Sequence, residues 1–252
     1  MGCGVFSAQA ATLPSDWIVN GNAGYMNPQG VVTAPPQQGP GYYYVSTWDG
    51  VEGVGALPGV GGPGSPINGS TVATGLFAAK AGDMLNFFFN YVTSDGAGYA
   101  DYGWARLLNS VGDQVALLFT ARTTPGGSSV PGFSMPDPEA TLNPGTVTIT
   151  PGGPDWDALG LDSNLCYAGG CGYTGWVQSS YTIQNPGDYR LEFGVINWND
   201  SNWASAMAFA GATIGDVDIT PPTPAPVPLP ASGLLLLAGL GVVGAIRRKR
   251  AA

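Results

Sequence analysis

The feature that most constrains this chain is how often it is interrupted. Of 252 residues, 40 are glycine and 22 are proline, and they divide the sequence into short runs. Inside a helix a glycine costs about 1 kcal/mol and a proline about 3 kcal/mol, so long helices have little room between such breaks. The runs that remain have strand character. Residues 84–93 alternate, with Leu85, Phe87, Phe89 and Tyr91 on one side and Met84, Asn86, Phe88 and Asn90 on the other. A strand sends successive side chains to opposite faces, so the first set makes a continuous apolar face. Residues 42–48 are dense in aromatic and β-branched types, and residues 70–79 place Val72, Thr74, Leu76 and Ala78 on one side. Residues 99–108 and 114–122 read as a hairpin across Asn109-Ser110-Val111-Gly112-Asp113. Further strands are expected at 17–19, 146–150, 176–183 and 189–197, with one or two over 205–219. Loops are expected at 49–68, 126–145 and 152–172. Seven Trp, eleven Tyr and nine Phe argue against a disordered chain, because such residues need a core or a binding face. The expected fold class is all-β, an antiparallel, jelly-roll-like β-sandwich over residues 12–219.

The last thirty residues obey different physics. Residues 220–231 form a Pro-rich linker, which stays extended. Residues 232–246 carry no charge and are rich in Leu, Gly, Ala and Val. Arg247, Arg248, Lys249 and Arg250 follow, within a basic tail over 247–252. An apolar helix ahead of a basic cluster is a stop-transfer pattern, and it places the tail in the cytoplasm. The apolar stretch from Leu229 to Ile246 is 18 residues. At about 1.5 Å per residue it spans roughly 27 Å, against a hydrocarbon core of about 30 Å. One short transmembrane helix is therefore expected at 232–246.

Val227-Pro228-Leu229-Pro230-Ala231, the Leu/Gly-rich helix and the Arg-Arg-Lys-Arg end occur in that order. Together they resemble the PEP-CTERM sorting signals of bacterial exosortase substrates, in their VPLPA variant, with Pro-Leu-Pro in place of Pro-Glu-Pro. The resemblance covers the tail alone. It implies passage across the inner membrane and a transient membrane intermediate. It also implies processing near the motif by a transpeptidase-like exosortase, and a final place at the cell surface or outside the cell. Two other readings stand beside it. One is an ordinary single-pass anchor. The other is a sortase signal, because Leu229-Pro230-Ala231-Ser232-Gly233 is one substitution from L-P-x-T-G.

Residues 1–11 fit the same itinerary. Ala8-Gln9-Ala10 has the small-x-small form of a signal-peptidase site, but no basic region precedes it and the apolar stretch is short. The expectation is a truncated signal-peptide remnant from a start assigned too late; a short N-terminus without that role is the alternative. Charge is uneven along the chain. Four of the eight basic residues lie in the tail and none of the 17 acidic ones do, which leaves the body at −13. That balance disfavours nucleic acid and anionic membrane surfaces, and is compatible with divalent cations and neutral or cationic polymers. Cys166 and Cys171 are the only cysteines beyond residue 11. In an exported chain an even count predicts a disulfide, worth about 2 kcal/mol for so small a loop. Two thiols in a chain with no histidine make a poor zinc site.

The lack of histidine also removes Ser-His-Asp and Cys-His devices. A glycosidase needs only two carboxylates, but no pair is picked out by spacing. Asp155, Asp157 and Asp162, with Gly160 and Asn164, begin like a calcium loop, with glycine at the sixth position. The pattern fails at Leu159 and at Cys166, where a bidentate Glu would stand. Asp95 and Asp101 flank a Gly-containing turn and form a second calcium candidate. For both, the competing reading is that Asp and Asn fill turns by bonding their own backbone. A third candidate is glycan binding by Asn197-Trp198-Asn199-Asp200-Ser201-Asn202-Trp203, in which Trp198, Trp203, Asn199 and Asp200 offer ring faces and polar groups. Either tryptophan could instead plug the sandwich, and Trp48, Trp104 and Trp176 are assigned to the core.

The body resembles, loosely, the jelly-roll-like sandwiches that precede such sorting signals in bacterial surface proteins. The blocks that carry this are Ala81-Gly82-Asp83-Met84-Leu85-Asn86-Phe87, the 93–102 stretch, Gly187-Asp188-Tyr189-Arg190-Leu191-Glu192-Phe193 and Ser205-Ala206-Met207-Ala208-Phe209-Ala210. No catalytic residue follows from it. The expected function is a non-enzymatic exported protein of the surface or exopolysaccharide matrix. The alternatives are a carbohydrate-binding module and, third, a glycan-active enzyme. The expected partners are an exosortase-type enzyme, extracellular polysaccharide and, in passing, the inner membrane. Mass spectrometry of the mature C-terminus is expected to find cleavage within or beside 227–231. A mature extracellular protein that retains Arg247-Arg248-Lys249-Arg250 would leave the plain membrane anchor.

Overall fold

The computed structural model describes residues 12–37, 39–54, 56–124 and 126–220. The expected signal-peptide remnant at 1–11, most of the expected linker, the sorting motif, the expected transmembrane helix at 232–246 and the basic tail lie outside them. Among the described residues no helix is long and apolar enough to cross a membrane.

In chain order the described strands are β1 (Ile18–Asn20), β2 (Asn22–Met26), β3 (Tyr42–Ser46), β4 (Val51–Glu52), β5 (Pro66–Ala73), β6 (Phe77–Ala79), β7 (Met84–Thr93) and β8 (Tyr102–Asn109). They continue with β9 (Gln114–Arg122), β10 (Thr141–Asn143), β11 (Thr150–Pro151), β12 (Gly172–Tyr173), β13 (Val177–Thr182), β14 (Gly187–Trp198), β15 (Ser205–Ile214) and β16 (Val217–Asp218). They build two antiparallel sheets packed as a sandwich. One runs β1-β5-β14-β8-β9, with β4 beside β5 and β6 beside β14. The other runs β10-β13-β7-β15-β3-β2, with β12 on β7, β11 on β12 and β16 on β15.

The all-β expectation holds, and the apolar face of β7 is its centre. Leu85, Phe87, Phe89 and Tyr91 are all buried, as period-2 alternation requires. Two face-to-face ring pairs bridge the sheets. Phe89 stacks on Phe119 of β9 with centroids 3.6 Å apart, and Phe193 of β14 stacks on Phe209 of β15 at 3.8 Å. Phe87 meets Phe193 edge-on at 5.2 Å. The predicted hairpin forms, with Tyr102 opposite Arg122 and Trp104 opposite Thr120.

Three local expectations are corrected. Residues 70–79 are two strands, because Thr74 leaves the β5 register to bond Leu191 and Leu76 is half exposed. Residues 146–150 do not make a strand of that length; Val147 bridges Val130, and only Thr150–Pro151 pairs, with β12. The loop expected at 126–145 ends in β10. In the lead-in, β2 forms without sequence alternation because it pairs residue for residue with β3, from Asn22 opposite Ser46 to Met26 opposite Tyr42.

Removing a ring from the inter-sheet stack leaves a cavity, so Phe89→Ala is expected to lower stability by about 3–5 kcal/mol in denaturant unfolding. Phe88→Ala, on the outer face of the same strand and only half buried, is expected to cost less than half as much. Equal losses would contradict this account of the core.

Candidate functional site

Strands β3, β7, β9 and β14 finish at one end of the sandwich, where β5, β8 and β15 begin. Their connections meet there. They enclose a cleft of about 470 Å³ lined by Thr47, Trp48, Asp49, Gly50, Asn68, Asp162, Asn197, Ser201, Asn202, Trp203 and Ala204.

Trp48 leaves the end of β3 half buried. Its backbone N–H donates to Ser46 Oγ at 3.0 Å, and that hydroxyl donates to the Ala158 carbonyl at 2.6 Å. Gly160 has φ +60°, and the Trp48 ring occupies the space a Cβ there would need. The glycine is thus required by close approach of the indole as well as by its backbone. Trp203, also in the lining, is held at φ +62°, a conformation costly for a bulky residue. Its loop is tied down on both sides. Asp200 Oδ1 accepts from Asn202 N at 2.8 Å, and Asp162 Oδ2 accepts from Ala204 N at 2.7 Å. The Tyr167 ring lies 5.7 Å from Trp203. Tyr167 is anchored in turn by its N–H to Ser94 O at 2.9 Å and by the disulfide, Cys166 to Cys171, that closes its loop. The predicted disulfide is therefore present, and it braces one wall of the cleft.

Next to the cleft sits a buried acidic pair. Asp95 and Asp101 are each only 1% exposed. Asp95 Oδ1 accepts from Gly96 N at 2.6 Å, while no donor reaches Oδ2. Asp101 accepts from Trp198 N at 2.8 Å and from Ser205 Oγ at 2.6 Å. Burial pushes Asp95 up to about 8, opposed by the Gly96 hydrogen bond and reinforced by the charges of Asp200 and Asp162. Burial, then the charge of Asp95, raises Asp101 well above the ordinary carboxylate range. Tyr91 and Arg122 are further ionisable groups within electrostatic reach of the pair.

The expected site residues divide. Trp203 and Asn197 line the cleft. Trp198 does not, which corrects its reading as a binding face. It is 5% exposed, donates from Nε1 to Pro63 O at 2.7 Å, and lies under the Arg122 guanidinium at 4.8 Å. Asn199 is exposed at φ +78° with its N–H on Ser65 O, outside the lining, and Asp200 caps the loop. Trp104 is core as expected, Trp176 is half buried with Nε1 on Thr33 O, and Trp48, assigned to the core, is a cleft wall. Its clue in the sequence is its place just before Asp49-Gly50, where alternation has ended.

Asp155, Asp157 and Asp162 are not brought together. Asp155 Oδ1 accepts from Asn164 Nδ2, Asp157 Oδ1 from Gln29 Nε2 and Asp162 Oδ2 from Ala204 N. Among the described residues no three acidic, Cys or His side chains converge as a metal-ligand set. The glycine that lent this loop its calcium-like spacing, Gly160, serves Trp48 instead.

Residues 226–250 match the PEP-CTERM protein-sorting motif. The chain carries a C-terminal sorting signal of that class, which implies export, a membrane-anchored intermediate and processing by an exosortase. No curated protein matches the chain. Among solved structures, the K1 cleaved adhesin domain of Lys-gingipain from Porphyromonas gingivalis W83 is 12% identical at TM-score 0.37, covering 79% of this chain and 92% of that one. TmCBM61 in complex with β-1,4-galactotriose is 9% identical at TM-score 0.30, over 78% and 88%. The enzymatically active domain of tailspike protein 4 from bacteriophage CBA120 is 11% identical at TM-score 0.32, over 79% and 20%. Likeness at that level carries no functional argument.

The Asp95 carboxyl, with a folded value near 8 against about 3.9 unfolded, favours the fold while it is protonated. That contribution is complete below about pH 4 and is lost as pH rises through about 8. In chelator, the melting temperature is therefore expected to fall between pH 5 and pH 8, and Asp95→Asn is expected to flatten that fall. A wild-type melting temperature that rises over this range would contradict the buried-acid reading.

Proposed function

We propose that this chain is a non-enzymatic, exported protein of the cell surface or exopolysaccharide matrix that holds neutral glycan in the Trp48–Trp203 cleft. The observation that carries the reading is the composition of that cleft. Two half-buried indoles stand on its walls, and the polar lining comprises Asn68, Asn197, Asn202, Thr47, Ser201, Asp49 and Asp162. Indole faces pack against the C–H faces of sugar rings, while amides, hydroxyls and carboxylates take the sugar hydroxyls. The lining contains no Lys or Arg, and the body carries −13, which disfavours anionic polysaccharide. The sorting signal supports the location, since it directs the body to where such polymers are found.

Isothermal titration against a panel of neutral and anionic polysaccharides tests this. Binding of a neutral polymer is expected, weakened at least ~10-fold by Trp48→Ala and by Trp203→Ala, as for aromatic anchors at interfaces. The buried Trp198 is unsuitable as a control, so Trp176→Ala, outside the cleft lining, serves instead and is expected to bind as wild type. Absence of glycan binding, or binding indifferent to both cleft tryptophans, would leave a purely structural role in the matrix.

A further inference from the structure

The acidic pair beside the cleft does more than fill a turn. Asp95 Oδ2 and the Oδ1 of Asn197 are both buried acceptors that no donor reaches. Asn197 is 2% exposed and lines the cleft together with Asp162. Native structures leave few such oxygens unsatisfied, and each costs about 1–3 kcal/mol when it is. Around them, among the described residues, carboxylates outnumber the one cation within reach, Arg122. Asp200 and Asp162 both act on Asp95, and Asp95 acts on Asp101. The ion pair among the described residues is Arg106 with Glu192, elsewhere on the sandwich. The nearby Arg122 points Nε at the Ala100 carbonyl and Nη1 at the Gly61 carbonyl, and forms no ion pair with Asp95 or Asp101. Buried carboxylates without a cationic partner need a proton or a metal ion.

We propose that the Asp95–Asp101 pair binds a hard divalent cation of the calcium class. Such an ion takes six to eight oxygens and draws on carboxylates, carbonyls, amides and water alike. Two carboxylates therefore suffice as charged ligands even though three acids do not converge. Asp95 supplies the free Oδ2. Asp101 is positioned by Trp198 N and Ser205 Oγ, each of which occupies one lone pair on its oxygens. Asp162 and Asp200 add field, and both lie on segments that tie down the Trp203 loop. The ion neutralises charge at the joint between β7, β8, β14 and β15. It is a different site from the exposed Asp155–Asp157 segment, whose carboxylates already have side-chain donors.

The test uses protein stripped with chelator at pH 7.5. Millimolar calcium is expected to raise the melting temperature by about 5 °C, by mass action on the folded state. Terbium is expected to show luminescence sensitised by nearby Tyr and Trp and displaced by calcium. Asp95→Asn is expected to abolish both responses, and Asp157→Asn to retain both. If Asp95→Asn fails to fold, Asp157→Asn decides: both responses retained supports the pair, and both lost overturns it. Unmoved wild-type melting and no terbium luminescence, with stability gained only on acidification, would show that the pair holds protons and overturn the proposal. Loss of both responses in Asp157→Asn but not in Asp95→Asn would overturn it too, by moving the site to the 155–162 segment.

Discussion

The sandwich rests on four phenylalanines that meet between its sheets. Phe89 lies on Phe119 at 3.6 Å, and Phe193 lies on Phe209 at 3.8 Å. Each pair takes one ring from each sheet, so the two stacks clamp the layers at two points. Aromatic pairs add about 0.5–1.5 kcal/mol beyond the area they bury. Because β7, β9, β14 and β15 are held there, the positions of their ends follow. Those ends carry Asp95, Trp198 and Ser205, and β3 brings Trp48 to the same place. The polar end of the sandwich is thus set by an apolar event in its middle.

What the sequence made legible was whatever depends on near neighbours. The alternation of 84–93 and the hairpin of β8 and β9 were readable because period and turn chemistry are local. The disulfide was readable from two cysteines separated by a flexible turn. The tail was readable because linker, apolar run and basic stop follow in order. Long-range partners were not readable. Trp198 sits between two asparagines and looks like a surface ring, yet Arg122, from a different strand, covers its face. Asp155, Asp157 and Asp162 have the spacing of a metal loop, but Gln29 and the Trp203 loop, both remote in sequence, take two of their oxygens. Asp95 and Asp101 could be singled out as a calcium candidate beside a turn, but their burial by the four strand ends was not readable.

The cleft and the tail describe one economy of design. The C-terminal sorting signal implies that the body is exported and that an exosortase processes the tail. Its cysteines are joined where an oxidising compartment allows, and the joined loop presses Tyr167 toward Trp203. Strain at Trp203 is tolerated because Asp162, Asp200 and Tyr167 over-determine that loop. Backbone conformations of this kind persist where surrounding contacts hold them, and they recur at ligand sites.

The central claim is that this one end of the sandwich is where the protein meets its polymer. Hydrogen exchange read by mass spectrometry, on the protein with and without the neutral polysaccharide proposed to bind, tests it most directly. The account predicts slowed exchange confined to peptides covering residues 47–50, 68 and 197–204. Protection spread over the outer sheet faces, or none at all, would contradict it.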